Sequence, residues 1–192
     1  MSVELSRIVE QRIQESILVK SQFIANAGVI SDIATQLIKT IRNDGCIFTC
    51  GNGGSSCDAM HFVEELVARY KRERPGIKAQ HLCDVSTITC WANDYDYQSI
   101  FERQVTTFIK SCDALVAFST SGNSENVNRA LAAAKQKGAF TILFSGKDGG
   151  KGKSIADCSV IVPSQETARI QEAHIMVVHI LCELIENAIY PI

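Results

Sequence analysis

The stretch from Cys46 to Tyr70 constrains the fold more than any other. An apolar run, Cys46-Ile47-Phe48-Thr49-Cys50, leads into Gly51-Asn52-Gly53-Gly54-Ser55-Ser56 and then a helical pattern carrying His61 and Glu65. Glycine lets the backbone turn tightly and approach a ligand closely. A helix that starts there aims free N–H groups and the positive end of its dipole at an anion. Strand, glycine-serine turn and helix therefore form a phosphate-sized anion site. One turn apart, His61 and Glu65 project from the same helix face.

The remainder repeats that alternation. Short apolar strands are predicted at Cys46–Cys50, Lys78–Cys83, Ala114–Phe118, Ala139–Phe144 and Ser159–Val162, with helices near Ser55–Tyr70, Ile100–Ile109, Ser124–Lys137 and Thr167–Ala188. Such a pattern predicts an α/β fold, a doubly wound parallel five-stranded sheet covered on both faces. Two amphipathic helices precede it, about Val3–Asn26 and Val29–Arg42, the second stopped by Asn43-Asp44-Gly45. Their apolar faces are wider than a small sheet covers, so they read either as core plus an oligomer contact or as core alone. With 192 residues and no repeat or linker, the chain reads as one domain, 1–192.

Charge and cysteine usage narrow the function classes. The net charge is −2, so no basic field draws the chain to nucleic acid or acidic membranes, and neither partner is expected. The first residues lack a basic segment followed by an apolar block, and no apolar run approaches membrane-spanning length. The 8 cysteines contain no C-x-x-C pair and mostly sit in apolar runs. Reduced, buried thiols in a cytoplasmic protein are expected, rather than disulfides or a structural zinc site.

A second anion turn follows the strand Ala114–Phe118: Ser119-Thr120-Ser121-Gly122-Asn123-Ser124, then a helix. Hydroxyls and backbone N–H groups at a strand's carboxyl end suit a phosphate held without a large positive charge. Serine and threonine also cap helices routinely, so one such loop alone would mean little. Two at strand-to-helix junctions of one sheet favour a phosphate site. Other glycine motifs do not fit. Gly51–Ser56 has Ser56 where a dinucleotide fingerprint needs its last glycine, and Gly146–Ser154 spaces its glycines one residue too far apart for a P-loop. The latter reads as a flexible turn. The basic run Arg69–Arg74 reads as a solvated helix end, with a substrate contact by Arg69 as the lesser alternative.

On the last helix, Gln171 and His179 lie eight residues apart and share a face, whereas His174 lies well round from His179. His and Glu at i, i+4 can hold zinc or pair an acid with a base. Hydrogen-bonded core polar groups remain an equal alternative on spacing alone.

Taken together, CGNGGSSCDAMHFVEEL, Ala92-Asn93-Asp94, STSGNSENV, SGKDGG and ARIQEAHIMVVHI resemble the sugar isomerase (SIS) domain family, and within it the phosphoheptose isomerases. The resemblance covers nearly the whole chain. It implies an aldose–ketose isomerisation, sedoheptulose 7-phosphate to D-glycero-D-manno-heptose 7-phosphate, on the way to heptose precursors of surface polysaccharide such as lipopolysaccharide. It also implies a cytoplasmic homotetramer with active sites near subunit interfaces. By the same resemblance Asn52, Gly53, Gly54 and Ser55 contact the sugar phosphate, and Asn93 and Asp94 reach sugar hydroxyls from a loop. Ser119, Thr120, Ser121 and Ser124 hold the phosphate, while His61, Glu65, Gln171 and His179 line the reacting end as a zinc site. One departure is Ala168, where some members carry an acidic residue.

Moving a carbonyl between adjacent carbons requires removal of a carbon-bound proton, giving an enediolate. Glu65 is the expected base and His179 the expected acid, since an imidazole ordinarily titrates near neutrality. Zinc would act as a Lewis acid, although a metal-bound glutamate is a poorer base. A non-catalytic adaptor that binds the replication initiator protein, or a sugar-phosphate sensor, would share the fold.

Overall fold

The computed structural model describes residues 2–191; Met1 and Ile192, the ends of the expected domain, lie outside the described residues. Strands β1 (Ile47–Gly51), β2 (Ala79–His81), β3 (Ala114–Phe118), β4 (Phe140–Gly146) and β5 (Cys158–Val162) form a parallel sheet in the order β2-β1-β3-β4-β5. Every residue of β1 and β3 is buried, as expected of central strands covered on both faces. Helices α2 (Ala27–Arg42), α3 (Gly54–Val67) and α8 (Thr167–Ile189) pack together, and α5 (Ile100–Phe108), α6 (Glu125–Gln136) and α7 (Gly152–Ile155) form a second group. Right-handed crossovers place the two groups on opposite faces. Phe62, Phe101, Phe118 and Phe144 are fully buried, each contributing about 1.5–3 kcal/mol of burial. This is the doubly wound α/β architecture the sequence predicts. Its strand order reverses between β1 and β3, where open sheets of this kind bind ligands at the carboxyl ends.

Several sequence expectations need correction. Asn93 and Asp94 do not lie in a loop: they end helix α4 (Val85–Asp94), whose N-cap Asp84 accepts from the Thr87 N–H at 2.8 Å. None of its residues is fully buried; only the short stripe of Ile88, Trp91 and Ala92 packs half-buried against the core. The basic run is not simply solvated. The Arg74 and Glu186 side chains are 2% and 3% exposed and pair at 3.1 Å, and Arg74 also donates to the carbonyls of Glu65 and Leu66. That side chain caps α3, which ends at Val67 rather than Tyr70.

The turn after β4 is packed rather than loose. The Gly152 N–H donates to the Gly122 carbonyl at 2.8 Å, and the Lys151 N–H donates to Asn123 Oδ1 at 3.1 Å, buttressing the second anion turn. Cys50, Cys83 and Cys182 are buried free thiols, but Cys57, Cys90 and Cys112 are exposed.

Helix α1 (Ser2–Phe23) continues through a 3-10 turn at Ile24–Asn26 into α2. Contrary to expectation, this continuous stretch, Val3–Arg42, is long and apolar enough by length and composition to cross a membrane. Its apolar groups face two ways. In α2, Ile30, Ile33 and Leu37 are buried in the core, whereas in α1 Leu5, Ile8, Val9, Ile13, Ile17 and Leu18 are exposed.

Candidate active site

Paired register brings the two anion turns side by side, since Gly51 at the end of β1 lies opposite Phe118 at the end of β3. After β1 the chain must reverse into α3 within two residues. Gly53 does so at φ 56° and ψ −125°, a conformation open essentially to glycine alone. Gly54 meets a different constraint, because a Cβ there would sit 2.4 Å from Gln171 Nε2. Its absence lets the Gln171 side chain reach the loop from α8.

No side chain caps α3 or α6. Both helix dipoles favour an anion there, while the Ser55 and Ser56 N–H groups already donate to the Asn52 and Gly53 carbonyls and the Val127 N–H to Asn126 Oδ1. Ser124 occupies the N-cap position of α6 yet makes no capping bond; its hydroxyl instead takes one from Ser119 at 3.2 Å. Ser55 and Ser119 are 4% exposed, with Thr120, Ser121 and Ser124 half-buried around them. This hydroxyl-lined pair of turns is more than a run of caps.

The expected reacting groups lie on two helices. Along α3, Gly54, Asp58, His61 and Glu65 face α8, which presents Gln171 and His179. His61 Nε2 is 3.2 Å from Glu65 Oε1 and 3.4 Å from His179 Nε2. One donor atom from each of these three residues falls within 4.8 Å of the others. Tyr70 stacks on His179 at 6.1 Å between ring centroids, and the two help line a cleft of about 360 Å³.

Two imidazoles and a carboxylate are a standard donor set for zinc. Tetrahedral ligands at about 2.0–2.1 Å from an ion sit roughly 3.3 Å from one another. The two edges from His61, 3.2 and 3.4 Å, match that length and the third is within 4.8 Å, so the donor set suits the ion.

Not every expected residue joins them. Asn93 and Asp94 are exposed and hydrogen-bond to each other at 2.8 Å, with no bond to either anion turn. His174 is a core residue, as its position round the helix from His179 predicts. It is fully buried against Phe118 and Phe144, its Nε2 meets the Ser145 carbonyl at 3.2 Å, and burial pushes it down to about 4.

Three further residues escaped the sequence reading. Asn126, 3% exposed, exchanges hydrogen bonds with Asn52 at 2.8 and 2.9 Å and so joins the two turns. Tyr97 donates to Asn52 Oδ1 at 2.9 Å. Asp58 lies one turn before His61; burial pushes its carboxyl up to about 6, with His61 opposing the rise. Only Asp58 had a usable signal, its spacing from His61 on the α3 stripe.

Residues 13–146 match the SIS domain family. A phosphoheptose isomerase of Leptospira biflexa is 43% identical over 192 residues, covering 98% of each chain. One from Helicobacter pylori is 51% identical over 152 residues, 79% of each chain. The solved phosphoheptose isomerase of Neisseria gonorrhoeae superposes with a TM-score of 0.90 at 36% identity, over 95% of this chain and 99% of that one.

Proposed function

Because this chain belongs to the SIS domain family and is a phosphosugar isomerase, we propose that it interconverts sedoheptulose 7-phosphate and D-glycero-D-manno-heptose 7-phosphate through an enediolate. The observation that carries this reading is the meeting of Glu65 and His61 with His179 on the α3 face that begins at the first anion turn.

The N–H groups of Gly53 and Gly54 and the hydroxyls of Ser55, Ser119, Thr120, Ser121 and Ser124 bind the phosphate. A tethered phosphate fixes the far end of the sugar, so the reacting carbons are held rather than sampled by collision. Glu65 removes the proton from C1 of the ketose and the same proton pool returns one to C2. His179 passes a proton between the two oxygens. Gln171, held close by Gly54, hydrogen-bonds the sugar near those oxygens. In the reverse direction Glu65 takes the proton from C2 and returns one to C1, and His179 relays between the same two oxygens, as microscopic reversibility requires.

Zinc held by His61, Glu65, Gln171 and His179 would supply Lewis-acid polarisation of the carbonyl. Glu65 serves both as ligand and as base in this scheme, and the two demands compete for its oxygens. Its two carboxylate oxygens would let one residue meet both demands, as ligand and as base.

The exposed apolar stripe of α1 supports assembly of the chain into a homotetramer, with Leu5, Ile8, Ile13 and Ile17 buried between copies. Eight free thiols suit a reducing compartment and so a cytoplasmic reaction. Incubation of the purified protein with sedoheptulose 7-phosphate, followed by NMR of the sugar products, tests the assignment. Formation of the aldose supports it; unchanged ketose, with or without added zinc, contradicts it.

A further inference from the structure

We infer that Asn126 and Tyr97 are positioning residues that fix Asn52 as a hydrogen-bond donor to a substrate phosphate oxygen, a reading that rests on the isomerase assignment. The amide orientations follow from one backbone group. The Val127 N–H can only donate, and it meets Asn126 Oδ1 at 2.9 Å. Asn126 therefore cannot be flipped, and its Nδ2 faces Asn52 Oδ1 at 2.9 Å. Asn52 Nδ2 in turn gives one hydrogen to Asn126 Oδ1 at 2.8 Å. The Tyr97 hydroxyl, 2.9 Å from Asn52 Oδ1, must then be the donor of that bond.

Both lone pairs of Asn52 Oδ1 are thereby filled. One N–H of Asn52 Nδ2 is left without a protein partner among the described residues. It lies where the turns after β1 and β3 meet, the place assigned to the phosphate. Asn126 is 3% exposed at the base of α6, so the pair is anchored from within the fold. Tyr97 comes from the other side, out of a 3-10 turn (Tyr97–Ser99) pinned by Asp96, which accepts from the Ser99 N–H at 2.8 Å. That turn follows directly on α4, so the segment ending in Asn93 and Asp94 is tied to the phosphate turns through one phenol.

The test uses Tyr97→Phe, Asn126→Asp and, as a control, Tyr95→Phe, whose ring stacks on Trp91 nearby. Asn126→Asp keeps both acceptor bonds but turns a carboxylate oxygen toward Asn52 Oδ1. Turnover of sedoheptulose 7-phosphate and its direct calorimetric titration are measured for each. Loss of one neutral hydrogen bond predicts KM and Kd raised about threefold to tenfold in Tyr97→Phe, with kcat within about twofold of wild type. Asn126→Asp raises both further, and Tyr95→Phe changes neither. Wild-type KM and Kd in Tyr97→Phe, or a fall in kcat without any change in binding, overturns the inference. Binding by wild type without turnover contradicts the isomerase assignment and leaves the Kd ratios to decide this one. If wild type does not bind the sugar phosphate, inorganic phosphate titrated into the same proteins decides it by the same ratios.

Discussion

The Nε2 atoms of His61 and His179 lie 3.4 Å apart although 118 residues separate them in the chain. That contact joins α3 to α8, and Glu65 completes the group from the next turn of α3, 3.2 Å from His61. Packing of α3 on α8 is what creates the site.

Removing the reactive groups tests their roles. Glu65→Gln and His179→Gln lower kcat by about a hundredfold to ten-thousandfold, the range for loss of a general acid or base. KM stays within a few-fold, because the phosphate turns are untouched. Steady-state kinetics with matched thermal melts checks both statements.

Zinc binding is read without any assay of turnover. Chelator-treated wild-type protein takes up one zinc ion per chain in calorimetric titration. His61→Ala and His179→Ala weaken that uptake by tenfold or more, whereas Ser124→Ala leaves it unchanged. Equal affinity in all three variants removes the donor set proposed here.

The ion pair of Arg74 and Glu186 reaches into the same geometry. Its charges are 2% and 3% exposed, and the guanidinium also holds the Glu65 carbonyl at 2.7 Å. Arg74→Ala leaves Glu186 with Arg72 as its remaining cation at 3.3 Å. The substitution takes the guanidinium from the Glu65 carbonyl, while the Leu66 carbonyl keeps the Ile77 N–H. The variant loses about 1–3 kcal/mol in chemical denaturation. Its kcat, measured well below the melting temperature, falls as well because α3 loses its fixed end.

His174 supplies a pH dependence with a definite sign. Its folded-state value of about 4 lies below the ordinary 6.5, burial being the cause. Below pH 6.5 the unfolded chain binds a proton that the folded chain refuses, so stability falls as pH drops toward 4. The full difference approaches about 3 kcal/mol at 1.36 kcal/mol per pH unit. Urea denaturation at pH 7 and pH 4.5 shows this loss in wild type and a smaller one in His174→Gln.

Assembly through α1 predicts that Ile13→Asp breaks the oligomer, with light scattering reporting a lower mass. Ile13 is 55% exposed in the single chain, so the substitution does not disturb its core.

Much of this was legible in the sequence because the parallel sheet is buried on both faces. Strands such as Ala114–Phe118 appear as unbroken apolar runs, and β3 falls where the pattern puts it. The α3 stripe and the Gln171–His179 spacing were equally legible, since helical period places them without knowledge of the fold. Helix α4 was not, because its stripe of Ile88, Trp91 and Ala92 is one turn long and flanked by serine and threonine. Asn126 and Tyr97 stayed hidden for a different reason: their importance lies in contacts with Asn52 across 74 and 45 residues. Arg74 was misread because charge runs usually solvate, and only the fold shows a carboxylate waiting inside.

The most direct measurement of the central claim is isomerisation of sedoheptulose 7-phosphate in D2O, followed by NMR at C2 of the aldose formed. Proton removal by Glu65 and return from a solvent-exchanging pool predicts deuterium at C2 with wild-type protein, and no detectable labelled product with Glu65→Gln. Aldose that carries only protium at C2, or wild-type labelling in Glu65→Gln, would contradict the account.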